Sequence, residues 1–239
     1  MTNLQILEAF EREINKFDNS VTKPNTDASL YWLNQAVKKF VKVRYNGDFV
    51  HKTGYEETEK RFRDLSNLLA TKLYSKSYTI GDKISGDVSY GNYTSCTLTY
   101  PSDLLYVLSE TAEISSTVNT DDPATKWVPV FECTADSFMY RVNNSLTDFH
   151  YRNQYARPLR VRTSTGCNLL TDGKYTVNKY TLQYLRKPNE ISLKSPFKEY
   201  TEFEETVLPE IIKIAAQMYL ENTAEERYKT ISNEVNTQE

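Results

Sequence analysis

The sequence contains few of the residues that build disulfide frameworks, metal centres and tight turns. Of its 239 residues, only three are cysteine, two are histidine and seven are glycine. Cys96, Cys133 and Cys167 are odd in number and widely spaced, which argues against a disulfide framework and is typical of a reducing compartment. His51 and His150 lie far from any cluster of cysteines, so the spacing predicts no zinc site. We therefore predict no metal and no other cofactor.

Long apolar runs are also missing. No run approaches the roughly 20 residues that a membrane-spanning helix needs. The first residues, MTNLQILEAFEREI, lack the basic flank and apolar block of a signal peptide. We therefore expect a soluble protein that is made in the cytoplasm and has no membrane partner.

The sequence lacks the common catalytic motifs as well. It contains no phosphate-binding P-loop, no GxGxxG, no GxSxG and no HExxH. The clustered acids near Glu56 and Glu204 lie at or just before predicted helix starts, where the helix dipole favours carboxylates. We predict no enzymatic activity, and an enzyme acting through Glu56 and Glu59 is the weakest alternative.

Helical spacing of apolar residues appears at both ends of the chain. It predicts a first helix over residues 3–17 and a second over residues 29–45, whose stripe includes Leu33, Val37 and Phe40. A stripe that continues to Leu73 predicts a third helix over residues 55–73. After residue 206 the spacing returns and predicts one long helix that runs on through Tyr228.

The middle of the chain has a different character. From residue 78 to 200 it is rich in Thr, Tyr and Val, broken by turn clusters. Asp172-Gly173 between two β-type runs predicts a hairpin. No helical pattern is long enough to make βαβ units, which favours antiparallel strands.

The fold class predicted from these patterns is α+β. It consists of a helical bundle of three N-terminal helices plus one long C-terminal helix, with a mostly antiparallel β insertion. The predicted domains are the first part of the bundle over 1–77, a β-rich lobe over 78–200, and a C-terminal helix with a polar tail over 201–239.

Charge is close to balanced overall but uneven along the chain. The net charge of −3 divides into +3 for residues 1–77, −7 for 78–150, +6 for 151–190 and −5 for 191–239. Blocks of alternating sign suit contacts between the subunits of a self-complementary oligomer. They equally suit ion pairs within one chain, and the sequence leaves both alternatives open.

A group of arginines lies in the basic block. Arg160 and Arg162 point to the same face of a predicted strand, and Arg157 lies just before them. They form either a surface for phosphates or an acidic partner, or cross-strand ion pairs, which we favour because no aromatic nucleic-acid motif accompanies them. The alternative function is a nucleic-acid-binding module that combines this strand with the basic residues of the second helix. Those residues are Lys38, Lys39, Lys42 and Arg44.

Six segments between residues 29 and 230 carry a resemblance to a known family. In order they are SLYWLNQAVKKFVKVRYNG, GYEETEKRFRDLSNL, ARPLRVRTSTG, LLTDGKY, YTLQYLRKP and LPEIIKIAAQMYLENTAEERYKT. Their order and spacing, more than any single motif, resemble the head-to-tail adaptor or ring proteins of crAss-like and related short-tailed phages. The large β region departs from distantly similar adaptors, whose ring body is a helical bundle.

The resemblance implies a virion structural protein at the head-to-tail junction. Such proteins form a ring, usually twelve-fold, that docks beneath the portal protein, continues the DNA channel and supports the next tail ring or tail hub. The implied partners are further copies of the chain, the portal, the next tail protein, and DNA that passes without sequence specificity. The resemblance also implies that the C-terminal segment reaches the portal, and we assign portal docking to Tyr228, Ile231 and Val235.

A ring needs contacts between neighbouring subunits. We expect the acidic block of one subunit to meet the basic block of the next, because their charges are complementary. The predicted subunit-interface residues are Arg157, Arg160, Arg162, Tyr90 and Tyr93.

Overall fold

The computed structural model of the chain describes residues 1–16, 24–46, 59–75, 93–116, 125–134, 136–144, 146–152 and 155–223. The chain divides into two compact units. The first, the helical unit, comprises Met1–Leu69 and Lys187–Glu239. The second, the strand-rich unit, comprises Ala70–Arg186.

Helices form the core of the helical unit. Helix α1 (Asn3–Ile14) begins with a capping box, in which the side chain of Thr2 accepts a hydrogen bond from the backbone of Gln5. Helix α5 (Leu208–Thr223) packs against both α1 and α2 (Thr26–Asn46). Phe10 meets Tyr219 edge to face at 6.4 Å between ring centroids. The other helices of this unit are α2 (Thr26–Asn46), α3 (Glu59–Leu65) and α5 (Leu208–Thr223).

The prediction of a third helix over residues 55–73 is wrong in its second half. Helix α3 ends at Leu65, a 3₁₀ turn follows over Ser66–Leu68, and strand β1 (Leu69–Ser75) begins at once. Strand β1 hydrogen-bonds to another strand of its sheet, and this long-range pairing overrides the helical spacing of the leucines. Leu73, predicted to lie on a buried stripe, is 58% exposed.

The predicted bundle with one long C-terminal helix is not matched either. Helix α5 spans 16 residues, and the described chain contains eight strands. The α+β class itself is confirmed.

Two four-stranded sheets build the strand-rich unit, which also contains helix α4 (Phe138–Asn143). Their strand orders are β1-β8-β3-β4 and β2-β7-β6-β5. The pairs β2–β7, β6–β7, β3–β8 and β3–β4 are antiparallel, whereas β5–β6 is parallel. The mostly antiparallel β region is therefore confirmed. The strands after β1 are β2 (Thr94–Thr99), β3 (Leu104–Ser116), β4 (Lys126–Pro129), β5 (Phe131–Cys133), β6 (Leu159–Arg162), β7 (Gly166–Thr171) and β8 (Tyr175–Arg186).

The predicted Asp-Gly hairpin is a turn between sheets instead. Gly173 adopts the expected left-handed conformation, with φ of 77°. Asp172 holds the turn, because its carboxylate accepts hydrogen bonds from the backbone of Tyr151 at 2.7 Å and of Lys174 at 2.9 Å. However, β7 pairs with β2 and β6, while β8 pairs with the long strand β3. The predicted turn at Asp172-Gly173 is confirmed. The predicted pairing of the two flanking strands with each other is wrong.

The main core of this unit lies between the two sheets, because buried residues of both join one cluster. Leu98 and Leu169 come from one sheet, and Ile114 and Leu182 come from the other. A smaller satellite cluster lies beside α4. Its members are Cys133, Val142, Phe149, Leu159 and Leu170.

Gly166 marks a close approach of backbones between β7 and β2. A methyl group at this position would lie 1.8 Å from the carbonyl oxygen of Leu98. We predict that Gly166→Ala lowers the free energy of unfolding by about 2 kcal/mol, because the strands must separate to admit the methyl group. Chemical denaturation followed by circular dichroism measures this.

Gly173→Asn is the matched control for this substitution. Position 173 has open space around it, and asparagine tolerates the left-handed region at a cost of at most about 1 kcal/mol. Equal midpoints for the Gly166→Ala variant and the unaltered protein would contradict the close approach.

Candidate assembly surface

Arg160 lies inside the strand-rich unit, not on its surface. Its side chain is only 3% exposed, and Nε contacts the Glu110 carboxylate at 2.8 Å. Glu110 belongs to β3, so this ion pair joins the two sheets. On the other side, Nη2 contacts Glu132 of the neighbouring strand β5 at 2.9 Å. Tyr180 donates a hydrogen bond to Glu110, and Arg160 donates one to the Tyr100 hydroxyl.

Burial raises the pKa values of ionisable groups around Arg160. It raises the pKa of Glu110, while the Tyr180 hydroxyl and the Arg160 guanidinium offset part of the rise. Burial also raises the pKa of the Cys167 thiol to about 11, so this thiol stays protonated and unreactive at neutral pH. These groups stabilise the packing of the sheets and are not placed to act on an outside molecule.

Other charges of the basic block also find partners within the chain. Arg162 contacts Glu132 at 3.1 Å, Lys179 contacts Glu113 at 2.9 Å, and Arg157 lies 3.7 Å from Asp148. In each pair the acid comes from residues 78–150 and the base from residues 151–190. Pairing within one chain therefore accounts for these charges of the two blocks.

The helical unit also contains ion pairs within the chain, and they centre on Arg44. Its guanidinium contacts Asp64 of α3 at 3.1 Å and Glu210 of α5 at 2.6 Å, with the Arg44 side chain 9% exposed. Lys38 lies 3.8 Å from Glu190. Of the basic residues proposed for nucleic-acid binding, Arg44 is thus buried and Lys38 is paired, while Lys39 and Lys42 are exposed.

Large apolar side chains are exposed around helix α4 and the neighbouring strand β5. Leu146 is 79% exposed and Tyr140 is 72% exposed, while Phe131 is 36% exposed. Beside them lies a cleft of about 210 Å³ that Arg141 and Arg157 help to line. We call this region the assembly surface, defined by Phe131, Tyr140, Arg141, Leu146 and Arg157.

Local contacts hold the assembly surface in place. The Arg141 guanidinium lies over the Phe131 ring at 4.0 Å, and the Thr147 hydroxyl donates a 2.8 Å hydrogen bond to the Arg141 carbonyl. Phe149 and Leu159 line the cleft and belong to the satellite cluster, so the cleft is anchored in the core. Within the described residues Arg141 has no ion-pair partner.

A scan of protein-family models matches residues 1–198 to phage tail ring protein 3/4 of crAss-like phages. The chain belongs to this family. It is therefore a structural component of a phage tail, and the predicted resemblance to crAss-like ring proteins is confirmed. No curated protein matches the chain.

The predicted interface residues of this ring protein fall in several places. Arg157 lines the cleft of the assembly surface, and Tyr93 packs nearby against Phe138 of α4 at 5.4 Å. Arg160 is buried, and Arg162 is paired beside it. Tyr90 and the predicted portal-docking residues Tyr228, Ile231 and Val235 lie outside the described residues.

Four members of the assembly surface were not predicted from the sequence, namely Phe131, Tyr140, Arg141 and Leu146. Strand β5 has three residues and helix α4 has six, so neither is long enough to show a hydrophobic period. No other signal in the sequence marks them.

The part of this ring protein that the structure describes contains neither a candidate metal site nor a candidate membrane-spanning helix. Among the described residues, no three His, Cys, Asp or Glu side chains are grouped so that they could hold a metal ion. No helix within the described ranges is long and apolar enough to cross a membrane.

Arg160 and Arg162 provide a direct comparison of a buried and an exposed ion pair. We predict that Arg160→Ala lowers the free energy of unfolding by about 3–5 kcal/mol, because it leaves the Glu110 carboxylate buried without its partner. Arg162→Ala should cost at most about 1 kcal/mol, since that side chain is 62% exposed. Denaturation with urea, followed by circular dichroism, measures both.

A double variant tests the reason for the difference. Arg160→Met combined with Glu110→Met removes both charges and should recover part of the lost stability. Equal losses for Arg160→Ala and Arg162→Ala would show that the buried pair has no special role.

Proposed function

We propose that the protein forms a homododecameric connector ring at the head-to-tail junction of the virion. The ring docks beneath the portal protein, continues the DNA channel and presents a platform to the next tail ring or tail hub. The observation that carries this proposal is the assembly surface on a chain that belongs to a tail ring family.

The assembly surface supports a role in contacts between proteins. Interfaces are enriched in tyrosine, phenylalanine and arginine, and their anchors are exposed in the free subunit. Tyr140 and Leu146 lie near Arg141 in the sequence. Arg141 has no ion-pair partner among the described residues, and the segment is held by a hydrogen bond and the satellite cluster. Such a preformed surface loses little conformational freedom on binding.

The charge distribution suits a channel through which DNA slides. Affinity for DNA comes from lysine and arginine side chains that neutralise phosphates. Here the net charge is −3, and several arginines are engaged in ion pairs with acids of the same chain. These features favour passage of DNA over tight binding.

The oligomeric state tests the ring directly. We expect the purified protein, alone or mixed with the portal protein of the same phage, to form a complex of about twelve times the 27.7 kDa chain mass. Native mass spectrometry measures the mass, and electron microscopy shows whether the ring is closed. A monomer in both samples, together with DNA binding that falls steeply with salt, would contradict the connector and favour the nucleic-acid-binding alternative.

Portal docking is tested by a separate variant. We expect the triple substitution Tyr228→Ser, Ile231→Ser and Val235→Ser to abolish binding to the portal, because it removes the apolar side chains assigned to that contact. Pull-down with the portal measures binding, and native mass spectrometry confirms that rings still form. Lys229→Ser, in the same segment, is the control and should bind normally. Unchanged portal binding by the triple variant would reject this assignment.

A further inference from the structure

A second exposed surface with complementary properties lies on the helical unit. Phe197 is 79% exposed, as much as Leu146, and Glu199 lies two residues beyond it. The side chain of Glu205 is 80% exposed. We call this region the Phe197 surface, defined by Phe197, Glu199 and Glu205.

Backbone hydrogen bonds fix the segment that displays Phe197. The carbonyl of Pro196 accepts a hydrogen bond from Leu4 at 3.0 Å, and the carbonyl of Lys198 accepts one from Asn3 at 3.1 Å. Both donors lie in the first turn of α1, whose N–H groups have no partner within the helix. The segment therefore holds an aromatic ring in solvent on a rigid base, which is the usual form of an interface anchor.

The segment that follows Phe197 helps to line a cleft. It has a volume of about 490 Å³, and Glu199 and Glu205 contribute two carboxylates to its lining. Phe203 and Leu208 supply apolar lining atoms. The Met1 amine lies 3.8 Å from Glu205, whereas Glu199 has no ion-pair partner among the described residues.

Each surface supplies what the other lacks. Among the described residues, Arg141 of the assembly surface has no carboxylate partner, and Glu199 of the Phe197 surface has no cationic partner. Each charge also lies within two residues of a highly exposed apolar side chain, Tyr140 for Arg141 and Phe197 for Glu199. Charge complementarity of this kind selects the partner and fixes the register of an interface.

We propose that the assembly surface of one copy binds the Phe197 surface of the neighbouring copy, with Arg141 facing Glu199. This inference rests on the proposed ring and names the two surfaces that close it. Because the surfaces differ, the contact is heterologous, and a heterologous contact whose rotation closes produces a ring. The contact joins two separate copies of the chain.

Single substitutions on each surface give the first test. We expect Arg141→Glu and Phe197→Asp each to weaken association between subunits by about thirtyfold or more, which is the effect of losing an interface anchor. Sedimentation velocity over a concentration series measures the affinity, in the presence of portal if the unaltered ring needs it. Lys198→Ala and Tyr31→Ala, also at exposed positions, are the matched controls and should associate normally.

Mixing the two variants gives a sharper test. Each retains one intact surface, so an equimolar mixture of Arg141→Glu and Phe197→Asp should form dimers of two different chains and nothing larger. A double variant that carries both Arg141→Glu and Glu199→Arg exchanges the two charges. This variant should form the ring again. Folding of every variant is checked by its denaturation midpoint.

The outcomes separate this inference from the proposed function. If the unaltered protein forms no ring, alone or with the portal, the connector itself is rejected. If the unaltered protein forms rings and both single variants form them equally well, the connector stands and the pairing of these two surfaces is rejected. Rings from the mixture would also reject the pairing.

Discussion

The buried ion pair between Arg160 and Glu110 is the interaction on which the strand-rich unit depends. It joins β6 of one sheet to β3 of the other, and the same guanidinium also contacts Glu132 of β5. A buried pair adds little net stability compared with apolar packing, but it strongly penalises any arrangement that separates the charges. It thereby fixes the place of β6, whose Leu159 lines the cleft of the assembly surface. Arg160, predicted from the sequence as a subunit-interface residue, is thus a buried residue that holds a strand of the cleft lining in place.

The helical unit also contains a buried arginine that contacts two carboxylates. Arg44 of α2 contacts Asp64 of α3 and Glu210 of α5, and its guanidinium also lies 5.0 Å from the Phe40 ring. In both units a single arginine therefore collects carboxylates from segments that are far apart in sequence. Since breaking either set leaves a buried charge unpaired, these clusters make each unit cooperative in folding. They also pair opposite charges from blocks that are far apart in the sequence, as Arg44 with Glu210 and Arg160 with Glu110.

The sequence predicted structural features that depend on residues close together in the sequence. It did not predict features that depend on contacts between residues far apart in the sequence. Leu33, Val37 and Phe40 are buried on α2 as their spacing indicates, and Gly173 has the left-handed backbone that an Asp-Gly turn needs. The end of α3 at Leu65 was missed, because it depends on the pairing of β1 within a sheet. The ion pairs that we favoured for Arg160 are present, but its burial between two sheets was not predicted, since a strand pattern does not say whether its charged face meets water or a second sheet. Helix α4 was too short to leave a periodic signal.

Pairing within the chain also limits what the surface has left for assembly. Suppose that the whole acidic block of one subunit attracted the whole basic block of the next. Many relative positions of the two subunits would then have similar energy, because long-range attraction between charge blocks is weakly directional. Here the ion pairs of Arg157, Arg162 and Lys179 already engage much of the basic block. Arg141, which lies outside that block, has no ion-pair partner among the described residues, and it lies on the same segment as the exposed Tyr140 and Leu146. A few unpaired charges set among apolar anchors define one register, which a closed ring with identical contacts requires.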